Sequence, residues 1–316
     1  MTPPTTVVRP TSAARAKAPK PSRLSRAERR AVTAKNRLTS RTASGLALLI
    51  ALLWTVPTFG LAVTSFRGNR RQITTSGWWE ALWPGNWGDF SLTNYQTALG
   101  SQNKLGTYFV NSFVVTLPSV LIPITLALLA AYAFAWIDFR GRNILFIAVF
   151  SLQVVPIQVT MIPLLTQYVN WGLNGTYWVL WLSHAMFGLP LAIFLLHNFM
   201  REIPRELVEA ARVDGAGHVQ VFLRVILPLM TPAIASFAIF QFLWVWNDLL
   251  VALAFAGNTP EVAPLTARLS DMVGSRGSAW HLLSAGAFIS MVVPLAVFLA
   301  LQRFFVRGLL AGSVKG

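Results

Sequence analysis

The chain has 316 residues, of which 54% are hydrophobic and only 12% charged, a composition that excludes an ordinary soluble domain and predicts a polytopic membrane protein. The net charge of +15 does not indicate a nucleic-acid partner, because 11 of the 26 lysines and arginines precede Ser44 and most of the others fall in alternate loops. The chain contains no cysteine, which excludes disulfide bonds and cysteine-based metal or redox sites.

The first 43 residues differ in composition from the rest of the chain. They are rich in Pro, Ser, Thr, Ala, Arg and Lys, and Glu28 is their single acid. Such a segment has too little apolar surface to fold alone, so we predict a disordered basic cytoplasmic tail over residues 1–43 and a transmembrane domain over 44–316. We do not expect the tail to be a cleaved signal peptide, because its charged region is too long and the apolar run after it is long enough to span a membrane.

Six apolar runs of spanning length follow the tail and predict an all-α fold with six transmembrane helices. Pro156 and Pro163 fall inside the third run and are expected to break it twice. The predicted spans cover approximately residues 43–66, 108–136, 144–168, 177–199, 233–256 and 281–304.

The distribution of basic residues predicts the orientation of these spans. The N-terminal tail, the 137–143 loop with Arg140 and Arg142, the segment 200–232 and the C-terminus hold most of the lysines and arginines. They fall on one side of a six-span arrangement, and positively charged loops stay in the cytoplasm, so both termini are predicted to be cytoplasmic. The loops expected to face outward are 67–107, 169–176 and 257–280.

The segment 200–232, between the fourth and fifth spans, carries the densest mixture of positive and negative charges in the chain. Pro204 suits the first position of a helix, and an amphipathic helix is expected from there to about Asp214. Gly215 and Gly217 should end this helix, because glycine adopts the left-handed turn after a helix at little cost.

A second amphipathic stretch should end at Pro228 and Pro232, just before the fifth span. The whole segment is therefore predicted to be a helix–turn–helix. Physical reasoning alone leaves two interpretations open: a docking site for another protein, or an amphipathic loop that rests on the membrane surface.

A motif in this segment resembles the EAA loop of ABC-importer permeases. It reads Glu209-Ala210-Ala211-Arg212-Val213-Asp214-Gly215-Ala216 and is followed by Ile226-Leu227-Pro228, an ending one residue shorter than the loosest family form. The Asp-Gly-Ala variant is similar to the carbohydrate-uptake branch, of the maltose-transporter type, and the resemblance covers residues 45–316. It implies coupling to a cytoplasmic ATPase through Glu209, Ala210, Ala211, Asp214, Gly215, Ala216, Ile226, Leu227 and Pro228.

The resemblance also implies the assembly and its activity. The chain would pair with a second homologous permease subunit, a dimer of ATPase subunits and an extracytoplasmic solute-binding protein in a bacterial or archaeal cytoplasmic (inner) membrane. It would move a sugar, an oligosaccharide or an α-glucoside, into the cytoplasm by ATP-driven alternating access. The stretch Ser76-Gly77-Trp78-Trp79 is similar to α-glucoside systems. ATP and magnesium are expected on the partner ATPase, because this chain has no Gly-rich phosphate loop, and we expect no cofactor or enzymatic activity in it.

One carboxylate, that of Asp248, falls inside a predicted span. An intramembrane charge is costly and marks a candidate functional group, although a local structural role is an equally good interpretation. Its partners are expected to be cavity water, Gln153, Gln158 or a partner subunit. Aromatic faces beside amide and carboxyl groups suit sugar binding, so the candidate translocation path comprises Asp248, Asn247, Trp244, Gln241, Gln153 and Gln158.

Three alternative functions stay open at this point. An ion-coupled secondary transporter would use an intramembrane charge such as Asp248. An ABC importer for a non-sugar solute, such as glycerol phosphate or a polyamine, would share the same loop. A membrane-bound enzyme is disfavoured because the histidines are scattered and show no catalytic or metal-binding spacing; they are His184, His197, His218 and His281.

Overall fold

The structure is a computed structural model that describes residues 41–68, 73, 76–100, 102–257, 259–273 and 279–313. Residues 1–40, which form most of the predicted tail, lie outside these ranges. Among the described residues the regular structure is helical, with loops between the helices and one isolated bridge between Arg67 and Phe90, which confirms the predicted all-α class.

The helices follow one another closely along the chain. In order they are α1 (Arg41–Phe66), α2 (Thr93–Leu99), α3 (Leu105–Trp136), α4 (Arg142–Ser151), α5 (Ile157–Asn170), α6 (Tyr177–Arg201), α7 (Arg205–Val213), α8 (His218–Val221), α9 (Leu227–Leu229), α10 (Thr231–Trp246), α11 (Leu250–Phe255), α12 (Leu265–Val273) and α13 (Trp280–Ser313). Contacts divide the chain into two units, Met1–Thr58 and Phe59–Gly316, and the features discussed below belong to the second.

Four described helices are each long and apolar enough to cross a membrane, and they match the first, second, fourth and sixth predicted spans. They are α1, α3, α6 and α13. Most boundaries agree closely, but α3 begins at Leu105 rather than Tyr108 and α13 continues to Ser313, beyond the predicted end at residue 304. Two further bent helix pairs satisfy the same length and composition, so the predicted six spans are matched when each bent pair counts as one span.

The third predicted span is the first bent pair. A short 3-10 turn extends α4 to Val154, and α5 then departs at an angle of 98°. Pro156 lies at this break, as predicted, with an extended backbone before α5. The second predicted break, at Pro163, is wrong. Pro163 lies inside α5, because a membrane helix tolerates a proline where neighbouring groups satisfy the freed carbonyl.

The fifth predicted span, 233–256, begins within two residues of α10 (Thr231–Trp246) but is wrong at its end. A π-helical turn over Phe222–Ile226 joins α8 to α9, and the helix bends by 70° near Met230 before α10. Pro228 therefore does not end the second amphipathic stretch, because it occupies the first turn of α9, where its missing N–H is tolerated. At the other end α10 stops at Trp246 instead of continuing to Ala256, and α11 begins anew at Leu250.

The core lies where α3, α6 and α10 meet. The pair α3 and α6 forms the most extensive helix contact of the described chain. Fully buried Ala127 and Ala131 from α3 and Ala192 from α6 contribute to this core, and small residues let helix backbones approach closely. Phe237 and Trp246 from α10 fill the remaining space. This packing fixes the positions of the two features described next.

Candidate functional site

The first feature is α7 with the turn that follows it. Pro204 precedes the helix as its N-cap, and Val208 is the buried anchor, at 3% exposure. Val213 at the other end is 88% exposed. Glu209 and Ala210 are exposed as well, whereas Ala211 packs partly against the core. The motif predicted to dock an ATPase therefore presents a free face while one apolar side holds it to the membrane helices.

The turn after α7 has the predicted left-handed backbone at Gly215 but not at Gly217. Gly215 has a φ of +83° and donates its N–H to the carbonyl of Arg212 at 3.0 Å. Ala216 donates to the carbonyl of Ala211 at 3.0 Å, which completes a helix-ending turn. The predicted left-handed role of Gly217 is wrong: with φ −74° and ψ 170° it is the extended N-cap of α8.

Polar and aromatic contacts connect this turn to the membrane helices. The hydroxyl of Tyr132, near the end of α3, lies 3.0 Å from Nδ1 of His218 at the start of α8. The Tyr132 ring also meets Phe222 edge to face, with ring centroids 5.3 Å apart. Of the three motif residues that close the segment, Ile226 is buried, Leu227 packs partly against the core and Pro228 is exposed. The turn is therefore in direct contact with α3, and the chain continues from it through α9 into α10.

The second feature is a cavity of about 570 Å³ beside the break in the third span. Gln153, Gln241 and Trp244, three of the predicted path residues, line it, and most of the other lining side chains are apolar. Gln158 is exposed on α5 and does not line the cavity. The break at Pro156 creates this space, because it turns α5 away from α4 next to α6 and α10.

Gln241 connects three helices beside this cavity. Its side chain is fully buried, and Nε2 donates to the carbonyl oxygens of Ser119 at 3.2 Å and His184 at 3.3 Å. Its Oε1 has no hydrogen-bond partner among the described residues. Gly188 makes room for the amide, since a Cβ there would lie 2.7 Å from Oε1. The amide is thus fixed in position, with one acceptor unused.

Asp248 has partners other than those predicted from the sequence. Its carboxylate accepts hydrogen bonds from the backbone N–H groups of Val251 at 3.3 Å and Ala252 at 3.0 Å, so it caps α11. Its Oδ2 also lies 3.5 Å from Nε2 of His184. Neither Gln153 nor Gln158 forms a described hydrogen bond with it, which corrects the expectation. Asn247 is not a partner, as expected, because its amide donates to the carbonyl of Leu243 at 2.7 Å.

His184 is a candidate site residue that the sequence reasoning missed. Its ring is 1% exposed, Nδ1 donates to the carbonyl of Leu180 at 2.8 Å, and Trp244 meets it edge to face at 5.5 Å. Through it the Asp248 carboxylate is connected to Trp244, which lines the cavity. An ionisable side chain inside an apolar span is itself a functional signal, and that signal was available in the sequence.

Comparisons with known proteins agree with this geometry. Residues 123–311 match the family described as "Binding-protein-dependent transport system inner membrane component". The chain is 54% identical over 269 residues to the "Osmoprotective compounds uptake permease protein GgtD" of Synechocystis sp., which covers 85% of this chain and 90% of that protein. It is also 54% identical over 232 residues to the "Alpha-glucoside transport system permease protein AglG" of Rhizobium meliloti, which covers 72% of this chain and 61% of that protein.

A solved structure supports the fold. The crystal structure of a bacterial ABC transporter involved in the import of the acidic polysaccharide alginate contains a chain that superposes with a TM-score of 0.68 at 22% identity, over 89% of this chain and 99% of that one. The matched family region contains both the α7 turn and the cavity. The resemblance inferred from the motif is confirmed, and the chain belongs to the family of inner-membrane components of binding-protein-dependent transport systems.

Proposed function

We propose that this chain is the permease subunit through which an ABC importer moves a sugar, specifically an α-glucoside or a related small glycoside, across the cytoplasmic membrane. The observation that carries this proposal is the 54% identity, over 232 residues, to a permease named for α-glucoside transport. A second relative of equal identity is named for uptake of osmoprotective compounds.

The cavity has the chemistry for such a substrate. Its volume of about 570 Å³ falls in the range of small-molecule sites, which is about 300–1,000 Å³. Trp244 offers an aromatic face, Gln153 offers an amide for hydroxyl groups, and Gln241 has one unused acceptor, Oε1. Asp248 does not line the cavity. It contacts His184, and His184 packs against Trp244, so Asp248 positions Trp244 through His184. Asn247 and Gln158 lie outside the cavity lining.

The assembly in this proposal contains a second permease subunit, two ATPase subunits that bind ATP and magnesium, and an extracytoplasmic solute-binding protein. The exposed face of α7, with Glu209, Ala210 and Val213, docks on an ATPase subunit. Closure of the ATPase dimer moves α7. The contact of Tyr132 with His218 passes this movement to α3, and the bend near Met230 passes it to α10. Both termini and the α7 turn are cytoplasmic, because the basic residues concentrate there.

Transport by the purified complex in proteoliposomes tests the substrate and the energy source together. With ATP trapped inside and the solute-binding protein outside, a labelled α-linked disaccharide should accumulate, and a β-linked isomer should not. A protonophore should leave uptake unchanged while ATP is held constant. Uptake that needs no ATP and collapses with the protonophore would establish an ion-coupled transporter instead. ATP-dependent uptake of glycerol phosphate or a polyamine, with no sugar uptake, would overturn the substrate assignment alone.

A further inference from the structure

A second cavity, of about 380 Å³, lies where the ends of three membrane helices meet. Arg142 lines it from the first turn of α4, Arg201 from the last turn of α6 and Arg205 from the start of α7. None of its lining residues is acidic. The cavity therefore concentrates three guanidinium groups at the end of the membrane-spanning segments, where the chain meets water.

These positive charges are largely uncompensated. Arg201 and Arg205 form no ion pair with any residue that the structure describes. Arg142 bonds Asp138 at 2.8 Å, but that carboxylate is 97% exposed and so neutralises the cavity only weakly. His197 lines the same cavity and is 7% exposed. Three arginines with so little negative charge beside them point to an anionic ligand.

The other wall of the cavity is apolar. Phe134 and Phe146 line it, with ring centroids 5.4 Å apart. On α4, which belongs to a bent helix pair with the length and composition of a membrane span, Ile144 is 77% exposed and Ile147 63% exposed. A free phosphate or a nucleotide would contact only the arginines. A molecule with an anionic head and hydrocarbon chains would contact both the arginines and the apolar wall.

We propose that this cavity binds the headgroup of an anionic phospholipid. Arg201 and Arg142 contact the phosphate, since a guanidinium presents a planar pair of donors to phosphate oxygens, and the acyl chains lie along the exposed apolar face of α4. Arg205 extends the contact to α7, so the lipid connects two membrane helices to the helix proposed to dock on the ATPase. This site is additional to the transport function and depends on no assignment of the sugar.

Lipid retention by the purified complex tests the proposal. The complex is equilibrated with mixed micelles of phosphatidylcholine and phosphatidylglycerol, and native mass spectrometry counts the lipids that remain bound. The wild type should retain phosphatidylglycerol in preference to phosphatidylcholine. Arg201→Gln should lower the affinity for phosphatidylglycerol about tenfold, the effect expected for one lost charge-assisted contact, and Arg201→Lys should restore part of it.

Arg140→Gln is the matched control, because Arg140 precedes α4 at the same end of the membrane helices and carries the same charge but does not line this cavity. It should leave retention unchanged. Equal retention of the two lipids by the wild type, or an equal loss in both glutamine variants, would overturn the proposal. Displacement of the lipid by millimolar inorganic phosphate would assign the site to a soluble anion. A cross-link from Arg201→Cys to an acidic segment of the ATPase would assign the arginines to a protein contact and likewise overturn it.

Discussion

Replacement of Asp248 tests how the cavity is held in shape. The carboxylate forms two interactions at the break after α10. It caps α11 by accepting hydrogen bonds from the N–H groups of Val251 and Ala252, and it faces the buried ring of His184. Asp248→Leu removes both interactions. Asp248→Asn keeps one carbonyl oxygen, and its amide nitrogen is able to donate a hydrogen bond to Nε2 of His184.

The magnitudes follow from these contacts. A lost helix cap costs about 1 kcal/mol, and a buried polar group left without its partner costs about 1–3 kcal/mol. The expected loss of stability for Asp248→Leu is therefore about 2–4 kcal/mol. Asp248→Asn should lose about 1 kcal/mol, because it retains one of the two interactions. We expect Asp248→Asn to assemble normally and alter sugar uptake, and Asp248→Leu to impair both assembly and uptake.

The assay combines reversible unfolding in mixed detergent micelles with complex yield and uptake. A double-mutant cycle with His184→Leu isolates the pair, because the double variant no longer contains an orphaned ring, and the two changes should couple by about 1–3 kcal/mol. Asn247→Ala is the adjacent control and should change stability by less than about 0.5 kcal/mol, since the side chain is exposed. Additive energies, or normal uptake by Asp248→Leu, would refute the positioning role.

Three further predictions concern the turn, the cavity and the orientation. Gly215→Val should uncouple ATP hydrolysis from uptake in the reconstituted complex, because a branched side chain at φ +83° is strained by about 1–2 kcal/mol or more, although the space around it is open. Gly188→Ala should displace the amide of Gln241 and lower both stability, by about 1–3 kcal/mol, and uptake. A cysteine at Asn143 should react only with reagents that enter the cytoplasm, and one at Asn174 should react from outside; the chain contains no native cysteine.

Each of these predictions has its own control or refuting outcome. Gly217→Val is the control for the turn, because φ there is −74° and a side chain meets no strain, so coupling should persist. Coupling that is unchanged in Gly215→Val would count against docking. For the cavity, Gly188→Ala should be nearly neutral in a Gln241→Ala background, and an equal loss there would show that the amide is not the obstacle. Labelling of Asn143 from outside would overturn the predicted orientation.

The sequence predicted best where a local rule controls the structure. The left-handed turn at Gly215 and the break at Pro156 depend on the backbone preferences of single residues, and both are confirmed. The lengths of the apolar runs in the sequence likewise predicted α3 and α6. The prediction failed at Pro228, because a π-helical turn places this proline in the first turn of a new helix segment, where it is tolerated.

The arrangement of the cavity could be predicted only in part. Residue types identified Gln153, Gln241 and Trp244, and the fold brings these three together. The prediction that Gln158 lies beside these residues failed. The angle between α4 and α5 sets which side of α5 faces the cavity, and a sequence does not encode that angle locally. The contact between Asp248 and His184 depends on the packing of α6 against α10 and α11, which no spacing along the chain reveals.

Cross-linking of α7 to the ATPase tests the central claim most directly. Val213, at the exposed end of α7, is replaced by cysteine in the intact importer, and a short bifunctional reagent is added. Trp171, 63% exposed in the turn before α6 and therefore at the other end of that span, is the matched control. The account predicts a cross-link from Val213→Cys to the ATPase subunit that changes in yield when ATP binds, and none from Trp171→Cys. An active complex that shows no cross-link at Val213→Cys, or equal cross-linking at both positions, would contradict it.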